Sequence, residues 1–259
     1  MKALSYIDAH LHLTDPGYAD KVDAVVEEAG QHDVTQMLSN ATDYETSLET
    51  IRLAKQFPDR VLAAVGVHPS TATRSSAPNL NKFAEMIDDN ARWIKAIGEI
   101  GLDGTYAQDE RAKTKQQQVF RFFLELAEEK KLPVAIHSRG AVPEALALLA
   151  GFRIPCVLFH WYDGPKTNLP LLREHGYLIS IGPAIFYSRK ITEIARLADP
   201  GLILSETDGP VKYRDLFGGQ PAAPARVVEV VRRLAEEKGM SLDAMKSMIS
   251  SNFQRFLHG

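Results

Sequence analysis

Eight short apolar segments alternate with longer amphipathic segments along the chain, and this alternation constrains the fold more than any other feature. The apolar segments are rich in β-branched residues and are predicted as strands, and the repeated strand–helix order favours a parallel sheet. The predicted strands are Leu4–His10, Val34–Asn40, Val61–Val67, Ile94–Glu99, Pro133–His137, Cys156–His160, Tyr177–Ile181 and Leu202–Glu206. Eight such units predict an α/β fold, a single (β/α)8 TIM-type barrel, because a barrel of this kind uses all eight strands.

The segments between the strands carry helical periodicity. One predicted helix covers Asp43–Gln56, with Thr42 and Glu45 as its capping box, and another covers Gln108–Lys131. An open doubly wound sheet is the alternative arrangement of the same elements. It would normally carry a glycine-rich phosphate loop after its first strand, whereas the residues after Ile7 read Asp-Ala-His-Leu-His. The sequence therefore favours the barrel.

Two closing helices are predicted at the carboxyl-terminal end of the chain. They cover Ala222–Lys238 and Leu242–Leu257 and are separated by a stop signal at Gly239. The 259 residues contain no linker-like stretch, and barrels of this type commonly form one unit of about 250 residues. Residues 1–259 are therefore predicted to form a single domain.

The composition is that of a globular protein with a sizeable core, since 45% of the residues are hydrophobic and 24% are charged. The amino terminus lacks the pattern of a secretory signal, and no stretch approaches the ~20 apolar residues of a membrane span. We therefore expect a cytoplasmic protein without membrane association. The one cysteine, Cys156, lies in an apolar strand and is predicted to be buried without a redox role. The sequence leaves the oligomeric state open.

The net charge of −3 argues against a broad basic surface that follows many phosphates. If nucleic acid is the substrate, its recognition must be local. Arg139 and Lys212 lie near the predicted mouth of the barrel and are candidate substrate-binding residues. A solvated surface role is the alternative for each of them.

Three polar residues alternate with apolar ones at the end of the first strand: Asp8, His10 and His12. Alternate residues of a strand point to the same side, so the two imidazoles are placed to chelate a cation. A single histidine in a strand is usually structural, but two at this spacing behind an aspartate favour a metal site. Asp8 is predicted to orient an imidazole rather than to bind the cation itself.

The other candidate ligands also follow predicted strands. They lie at or just past the carboxyl ends of those strands, and they are His68, Glu99, His137, His160, Glu206 and Asp208. Catalytic groups of (β/α)8 barrels come from this end of the strands. Histidines with independent structural roles have no reason to gather there, so the pattern predicts an active site.

These motifs resemble the TatD-type metal-dependent deoxyribonucleases of the metallo-hydrolase barrel superfamily. The resemblance covers essentially the whole chain, including Asn252 in the closing helix. It rests on motifs that occur in the family's order: Asp8-Ala-His10-Leu-His12, Gly66-Val-His68-Pro69, Gly98-Glu99-Ile-Gly101-Leu-Asp103, His137-Ser-Arg139, His160 and Glu206-Thr-Asp208.

The resemblance implies two divalent cations at the mouth of the barrel. The ligands of the first would be His10, His12, Glu99 and Asp208, and those of the second Glu99, His137 and His160, so that Glu99 bridges both. His68 and Glu206 would serve the substrate or support the ligands. The predicted catalytic residues are accordingly Asp208, Glu206 and His68.

The loops depart from the usual family pattern. Trp161-Tyr-Asp-Gly164 follows His160 where a small or polar run is usual, and Gly209-Pro210-Val-Lys-Tyr213 follows Asp208 where a Pro-rich segment is usual. The turn after Glu99 is altered as well. The ligands are retained while the loops that select a substrate differ, so hydrolase is a safer prediction than deoxyribonuclease.

Charge also fits a two-cation site. Glu99 and Asp208 supply about two negative charges against four from two divalent cations, which leaves a positive site suited to a phosphate and lowers the pKa of bound water. Imidazoles and carboxylates without thiolates are compatible with Zn²⁺, Mn²⁺, Co²⁺ or Mg²⁺. The number of histidines disfavours Ca²⁺ and a purely Mg²⁺ site.

The sequence thus predicts an enzyme that hydrolyses phosphodiester bonds of nucleic acid, with Asp208 handling the proton of the attacking water and His68 binding a phosphate. Amide or ester hydrolysis, including deacylation of an aminoacyl-tRNA, is the alternative. Many amidohydrolases of this type carry a modified lysine where Glu99 stands, which favours the phosphodiesterase. A metal-binding protein without catalysis is a third possibility. The carboxylate pair Glu206 and Asp208 weighs against it, because chelation alone does not need the extra carboxylate.

Overall fold

Eight parallel strands follow one another around one sheet in the order in which they occur in the chain. The computed structural model describes residues 4–74 and 80–259, and the strand count refers to these. Each strand pairs in parallel with the next. The strands are β1 (Tyr6–Leu11), β2 (Val34–Asn40), β3 (Val61–Val65), β4 (Ile94–Gly101), β5 (Val134–His137), β6 (Val157–Phe159), β7 (Leu178–Ile181) and β8 (Ile203–Ser205).

The sheet closes where β8 meets β1. The backbone N–H of Asp208 donates to the carbonyl of His10 at 2.9 Å, and the N–H of His12 donates to the carbonyl of Gly209 at 2.8 Å. The hydroxyl of Ser205 donates to the carbonyl of Ile7 at 2.7 Å. The predicted barrel is therefore confirmed, and the open doubly wound sheet is excluded.

Helices cover the outside of the barrel, and the two closing helices follow β8 as predicted. The α-helices are α1 (Val22–Gln31), α2 (Tyr44–Gln56), α3 (Pro69–Arg74), α4 (Asn81–Asp89), α5 (Glu110–Lys130), α6 (Val142–Leu149), α7 (Leu169–Glu174), α8 (Arg189–Leu197), α9 (Val227–Lys238) and α10 (Leu242–His258).

The start of α2 differs by one residue from its predicted capping box. The carboxylate of Asp43 accepts from the backbone N–H of Thr46, and the Thr46 hydroxyl accepts from the backbone N–H of Asp43. The prediction of Thr42 and Glu45 was therefore wrong. Asp43 has an extended backbone that turns its side chain toward the first turn of the helix.

The amino ends of the strands are covered by α10. Its buried Phe253 and Phe256 belong to the apolar core. The side-chain amide of Asn252 donates to the carbonyls of Pro200 and Ile203, each at 2.8 Å, and so ties the helix to the start of β8. This end of the barrel is a packed structural closure.

Among residues 4–74 and 80–259, no helix has the length and apolar character needed to cross a membrane. Cys156 is buried, as expected, and burial raises the pKa of its thiol. The single-domain organisation and the cytoplasmic location stay predictions.

Candidate metal centre

The candidate ligands meet at the carboxyl ends of the strands, around a cavity of about 480 Å³. β1, β4 and β5 contribute His10, Glu99 and His137 directly, and the other candidate ligands follow the ends of their strands. The cavity is lined by His12, His68, Glu99, His137, Ser138, Arg139, His160, Trp161, Asp163, Asp208 and Val211. Residues up to about 200 positions apart in sequence thus share one site.

Glu99 stands at the centre of this site, and its two carboxylate oxygens face two different sets of imidazoles. Oε2 lies 3.3 Å from His12 Nε2 and 3.7 Å from His10 Nε2. Oε1 lies 2.8 Å from His137 Nδ1 and 2.7 Å from His160 Nε2. The arrangement suits a carboxylate that bridges two cations.

Close contact between β4 and β5 depends on Gly101. Its backbone has φ +138°, and a Cβ at this position would lie 2.1 Å from the carbonyl oxygen of His137. Only glycine tolerates this conformation and this distance. The chain is thereby able to bring His137 next to Glu99.

Asp208 lies beside the first set of imidazoles. Its Oδ1 is 3.3 Å from His12 Nε2 and 3.7 Å from His10 Nε2. Its backbone has φ +47°, an uncommon conformation for aspartate that the hydrogen bond to the His10 carbonyl helps to hold. The carboxylate is almost fully buried yet reaches the cavity wall.

The nitrogens of His12 and His137 that point away from Glu99 are held by hydrogen bonds. His12 Nδ1 lies 2.8 Å from the Asn40 carbonyl, and His137 Nε2 lies 2.7 Å from Asp103 Oδ2. With the proton on these nitrogens, the lone pair of each ring faces the carboxylates of the site, which is the usual arrangement around metal-binding histidines. The sequence reasoning assigned no role to Asn40 or Asp103. Asp103 continues the alternation of Glu99 and Gly101, which is a signal that would have found it.

Glu206 lies behind His160 rather than on the cavity wall. It is fully buried, and its Oε2 is 3.7 Å from His160 Nδ1. The same oxygen accepts a hydrogen bond from the Ser180 hydroxyl at 2.5 Å. This position suits the orientation of an imidazole, and a direct catalytic role for Glu206 stays a prediction.

His68 has its ring fixed by Ser70. The backbone N–H of Ser70 donates to His68 Nδ1 at 3.1 Å, and burial lowers the pKa of His68 to about 4. A neutral ring that accepts at Nδ1 carries its proton on Nε2. That nitrogen lies on the cavity side, 3.7 Å from Glu99 Oε1 and 3.4 Å from His137 Nδ1.

Asp8 makes a different contact from the one predicted. No imidazole hydrogen bond to it is present in the described part of the chain. Its carboxylate instead accepts from the backbone N–H and the hydroxyl of Thr207 and from the backbone N–H of His10. Because β8 closes against β1, the nearest donors are those of Thr207. Asp8 therefore ties the segment that carries Asp208 to the strand that carries His10.

The Glu99 carboxylate and the His12 imidazole are held in charged form by their neighbours. Burial alone would raise the pKa of Glu99, but the charge of His160 and the hydrogen bond with His137 keep that pKa well below its usual value. Burial alone would lower the pKa of His12, but Asp208 and Glu99 raise it to about 9. A divalent cation would compete with protons for this negative site.

Unsatisfied atoms of the centre indicate what it can bind. Both ring nitrogens of His10 and Nδ1 of His160 are buried and lack a hydrogen-bond partner within the described ranges. Ligands about 2.1 Å from a tetrahedral cation stand about 3.4 Å apart, and His12 Nε2 lies 3.3 Å from both Glu99 Oε2 and Asp208 Oδ1. Imidazoles and carboxylates without thiolates suit Zn²⁺, Mn²⁺ or Co²⁺. The residues therefore fit a divalent metal.

A family model described as TatD related DNase matches residues 7–258. The chain belongs to this family. It is 30% identical over 256 residues to an uncharacterized metal-dependent hydrolase of Methanocaldococcus jannaschii, covering 99% of this chain and 98% of the relative. It is 26% identical over 257 residues to the 3'-5' ssDNA/RNA exonuclease TatD of Pectobacterium parmentieri, covering 96% and 97% of the two chains.

Solved structures agree with the sequence relatives. The crystal structure of YjjV, a TatD homolog from Escherichia coli K12, superposes on this chain with a TM-score of 0.90 at 25% identity, covering 98% of each chain. The predicted family, its barrel and its class of metal-dependent hydrolase are thereby confirmed.

The two basic residues predicted to bind substrate occupy different places in this TatD-related chain. Arg139 is exposed and lines the cavity, and its side chain makes no ion pair with any described residue. Lys212 is also exposed, but it is not part of the cavity wall. Of the two, only Arg139 lies on the cavity wall.

Proposed function

We propose that this chain is a nuclease that uses two divalent cations to hydrolyse phosphodiester bonds of nucleic acid. One observation carries the proposal: the two oxygens of Glu99 face two separate sets of imidazoles, and Asp208 stands beside the first set. The names of relatives support it, since one is a 3'-5' ssDNA/RNA exonuclease and another is the human deoxyribonuclease TATDN3.

In this proposal His10, His12, Glu99 and Asp208 hold one cation, and Glu99, His137 and His160 hold the other. When bound, the cations neutralise phosphoryl charge and make water more acidic. The donor set favours Zn²⁺, Mn²⁺ or Co²⁺ over Mg²⁺.

The protein's own groups would carry the remaining steps. Asp208 stays ionised, because the hydrogen bond and charge of His12 keep its pKa below the usual value despite burial. It can therefore accept a proton from the attacking water. His68 offers an Nε2–H donor to a phosphoryl oxygen, and the guanidinium of Arg139, which has no ion-pair partner among residues 4–74 and 80–259, offers a second contact to a phosphate.

The net charge of the chain is consistent with a substrate that is bound through few contacts at the cavity. With a net charge of −3 the chain can neutralise few phosphates. We therefore propose contacts limited to the nucleotides around the cleaved bond.

The test uses chelated protein to which Zn²⁺, Mn²⁺, Co²⁺ or Mg²⁺ is returned singly. Single-stranded DNA, RNA, duplex DNA and a panel of small amides and esters are offered, with Glu99→Ala purified in parallel to expose contaminating nucleases. We expect metal-dependent phosphodiester cleavage that the variant lacks. Cleavage of amides or carboxylic esters with none of phosphodiesters would overturn the proposal in favour of an amidohydrolase.

A further inference from the structure

The loop after β6 presents a tryptophan to the candidate metal centre. Trp161 directly follows His160, lines the cavity and is half-buried. Its backbone has φ +37°, a conformation that a bulky residue rarely adopts. A bulky residue keeps a positive φ only where neighbouring groups hold its backbone. Residues with such strained backbones cluster at ligand-binding sites.

The surroundings of Trp161 do hold it. Its backbone N–H donates to the Ser180 hydroxyl at 3.2 Å. The next residue, Tyr162, is fully buried and donates its hydroxyl to the Pro165 carbonyl at 2.9 Å. Gly164 packs on that ring so closely that a Cβ would lie 2.7 Å from it. These contacts fix the conformation of the loop, so the indole is held at the cavity before any ligand binds.

A second aromatic ring supports the indole. The ring centroids of Trp161 and Tyr213 are 5.2 Å apart, and Tyr213 is buried with its hydroxyl bonded to the Thr207 carbonyl at 2.9 Å. Tyr187 follows at 6.5 Å from Tyr213, with the guanidinium of Arg214 4.7 Å above it. Trp161 and Tyr213 come from the loops that follow β6 and β8, so two separate segments of the chain build this aromatic group.

Charge indicates which part of a nucleotide would lie against the indole. Asp163, two residues on, also lines the cavity, and its carboxylate disfavours a phosphate there. The phosphate is better placed at the cations and Arg139. A neutral planar group is the partner that suits Trp161, and a nucleobase is such a group.

We propose that Trp161, backed by Tyr213, is the stacking platform for the base next to the cleaved phosphodiester bond, and that it makes this enzyme prefer unpaired strands. The proposal rests on the proposed nuclease function. A base in a duplex is already stacked on its neighbours and cannot offer its face to the indole. An unpaired base can do so at a smaller cost of unstacking and with no base pair to break.

The chain offers a matched control for this test. It has two tryptophans, and the other, Trp93, precedes the first residue of β4 and so lies at the opposite end of the barrel. Trp93→Phe leaves Trp161 as the sole indole reporter. With this variant we expect saturable quenching of fluorescence by deoxyadenosine monophosphate and none by deoxyribose 5-phosphate. Equal responses to both, or none to either, would overturn the proposal.

Kinetics supply the second readout. Trp161→Ala should raise KM for a single-stranded oligodeoxynucleotide about tenfold, the usual effect of losing one base stack, with kcat within a few fold. Trp161→Phe should recover most of the loss, and Trp93→Phe should behave as wild type. An oligonucleotide with an abasic site beside the cleaved bond should be insensitive to Trp161→Ala. An equal loss on both substrates would show a merely structural role and overturn the platform.

Failure of the proposed function gives a different result. If the wild-type protein cleaves no phosphodiester, the nuclease assignment falls and the platform beside a cleaved bond falls with it, whereas quenching by deoxyadenosine monophosphate would still show that Trp161 binds a base. If it cleaves single strands and duplexes equally while Trp161→Ala changes neither, the nuclease assignment stands and the platform is wrong.

Discussion

Buried polar side chains at the two ends of the barrel differ in how fully their hydrogen bonds are satisfied. At the amino ends of the strands, Asn252 gives its side-chain amide protons to two carbonyls at 2.8 Å. At the carboxyl ends, both ring nitrogens of His10 and one of His160 are buried without a hydrogen-bond partner within the described ranges. The first pattern is that of a structural residue, and the second is typical of groups that bind a ligand.

The energetic meaning of the two patterns differs. A buried polar group that loses its partner costs about 1–3 kcal/mol, so a fold keeps such groups only where something else compensates. The carboxyl end also has Asp208 and Trp161 in left-handed backbone conformations, each with a cost of about 1–3 kcal/mol. Substitution there should change activity more than stability, and substitution at Asn252 should do the reverse.

The largest effect is expected for Glu99→Ala. Its carboxylate is the anionic group between His10 and His12 at the end of β1 and the histidines at the ends of β5 and β6, so both cations of the proposed site should be lost. Turnover should fall by more than the ~10²–10⁴-fold that one acid–base group contributes, with the barrel still folded. Metal analysis of the purified variant and its circular dichroism spectrum check this. If Glu99→Ala retained two tightly bound metals and full activity, the bridging role would be wrong. His137→Ala is the comparison, because it should lose chiefly one metal.

Asp208→Asn should give the next largest effect. The amide keeps the shape and one ligand oxygen but loses the charge and most of the basicity, so kcat should fall about 10²–10⁴-fold. Substrate affinity should stay within about tenfold, or ~1.4 kcal/mol, and the thermal midpoint should change little. Turnover, metal content and a melting curve on one preparation separate these effects. Near-normal turnover of Asp208→Asn would exclude its role in proton transfer and indicate that Asp208 only shapes the turn after β8.

The sequence predicted the carboxyl end well because a parallel barrel sends the carboxyl ends of its strands to one place. His10, Glu99, His137 and the other strand-end residues could therefore be assembled without coordinates. The bounds of β2 were predicted to the residue, and those of β8 were one residue too long at each end. The closing helix with Asn252 was also predicted, although the hydrogen bonds that satisfy it were not.

Contacts around the ligands could not be predicted, because they join elements that are far apart in the chain. Asp8 bonds Thr207 across 199 positions, and His12 bonds the carbonyl of Asn40 on the neighbouring strand. Their partners depend on the register between strands, which periodicity does not give. The packing of Trp161 against Tyr213 depends on two irregular loops, for which sequence rules are weakest.

Asn252→Leu tests the amino end of the barrel, where the buried amide has both of its hydrogen bonds. The substitution keeps the approximate shape and removes both hydrogen bonds to the start of β8. It should lower the free energy of unfolding by about 1–3 kcal/mol, while turnover per folded molecule stays near that of wild type. Urea unfolding and active-site titration measure the two quantities. Ser251→Ala, on the exposed side of the same helix, should change stability by less than about 0.5 kcal/mol. A large loss of turnover in Asn252→Leu without loss of stability would break the contrast between the two ends.

The smallest effect concerns charge at the carboxyl end, where Arg139 lines the cavity and Lys212 does not. A guanidinium without an ion-pair partner in the described ranges can bond a phosphate, and a charge-assisted hydrogen bond at an exposed site is worth about 1.5 kcal/mol. Arg139→Ala should therefore raise KM about tenfold and leave kcat nearly unchanged. Lys212→Ala should alter KM less than about twofold.

Salt dependence supplies a second measurement. Binding releases fewer counterions when one phosphate contact is lost, so Arg139→Ala should also make the slope of log affinity against log salt shallower by about 1. The wild-type slope should be far shallower than the −10 of a strongly basic DNA-binding protein. Equal effects of the two variants, or a slope near −10, would show that substrate is held by a broad surface rather than at the cavity.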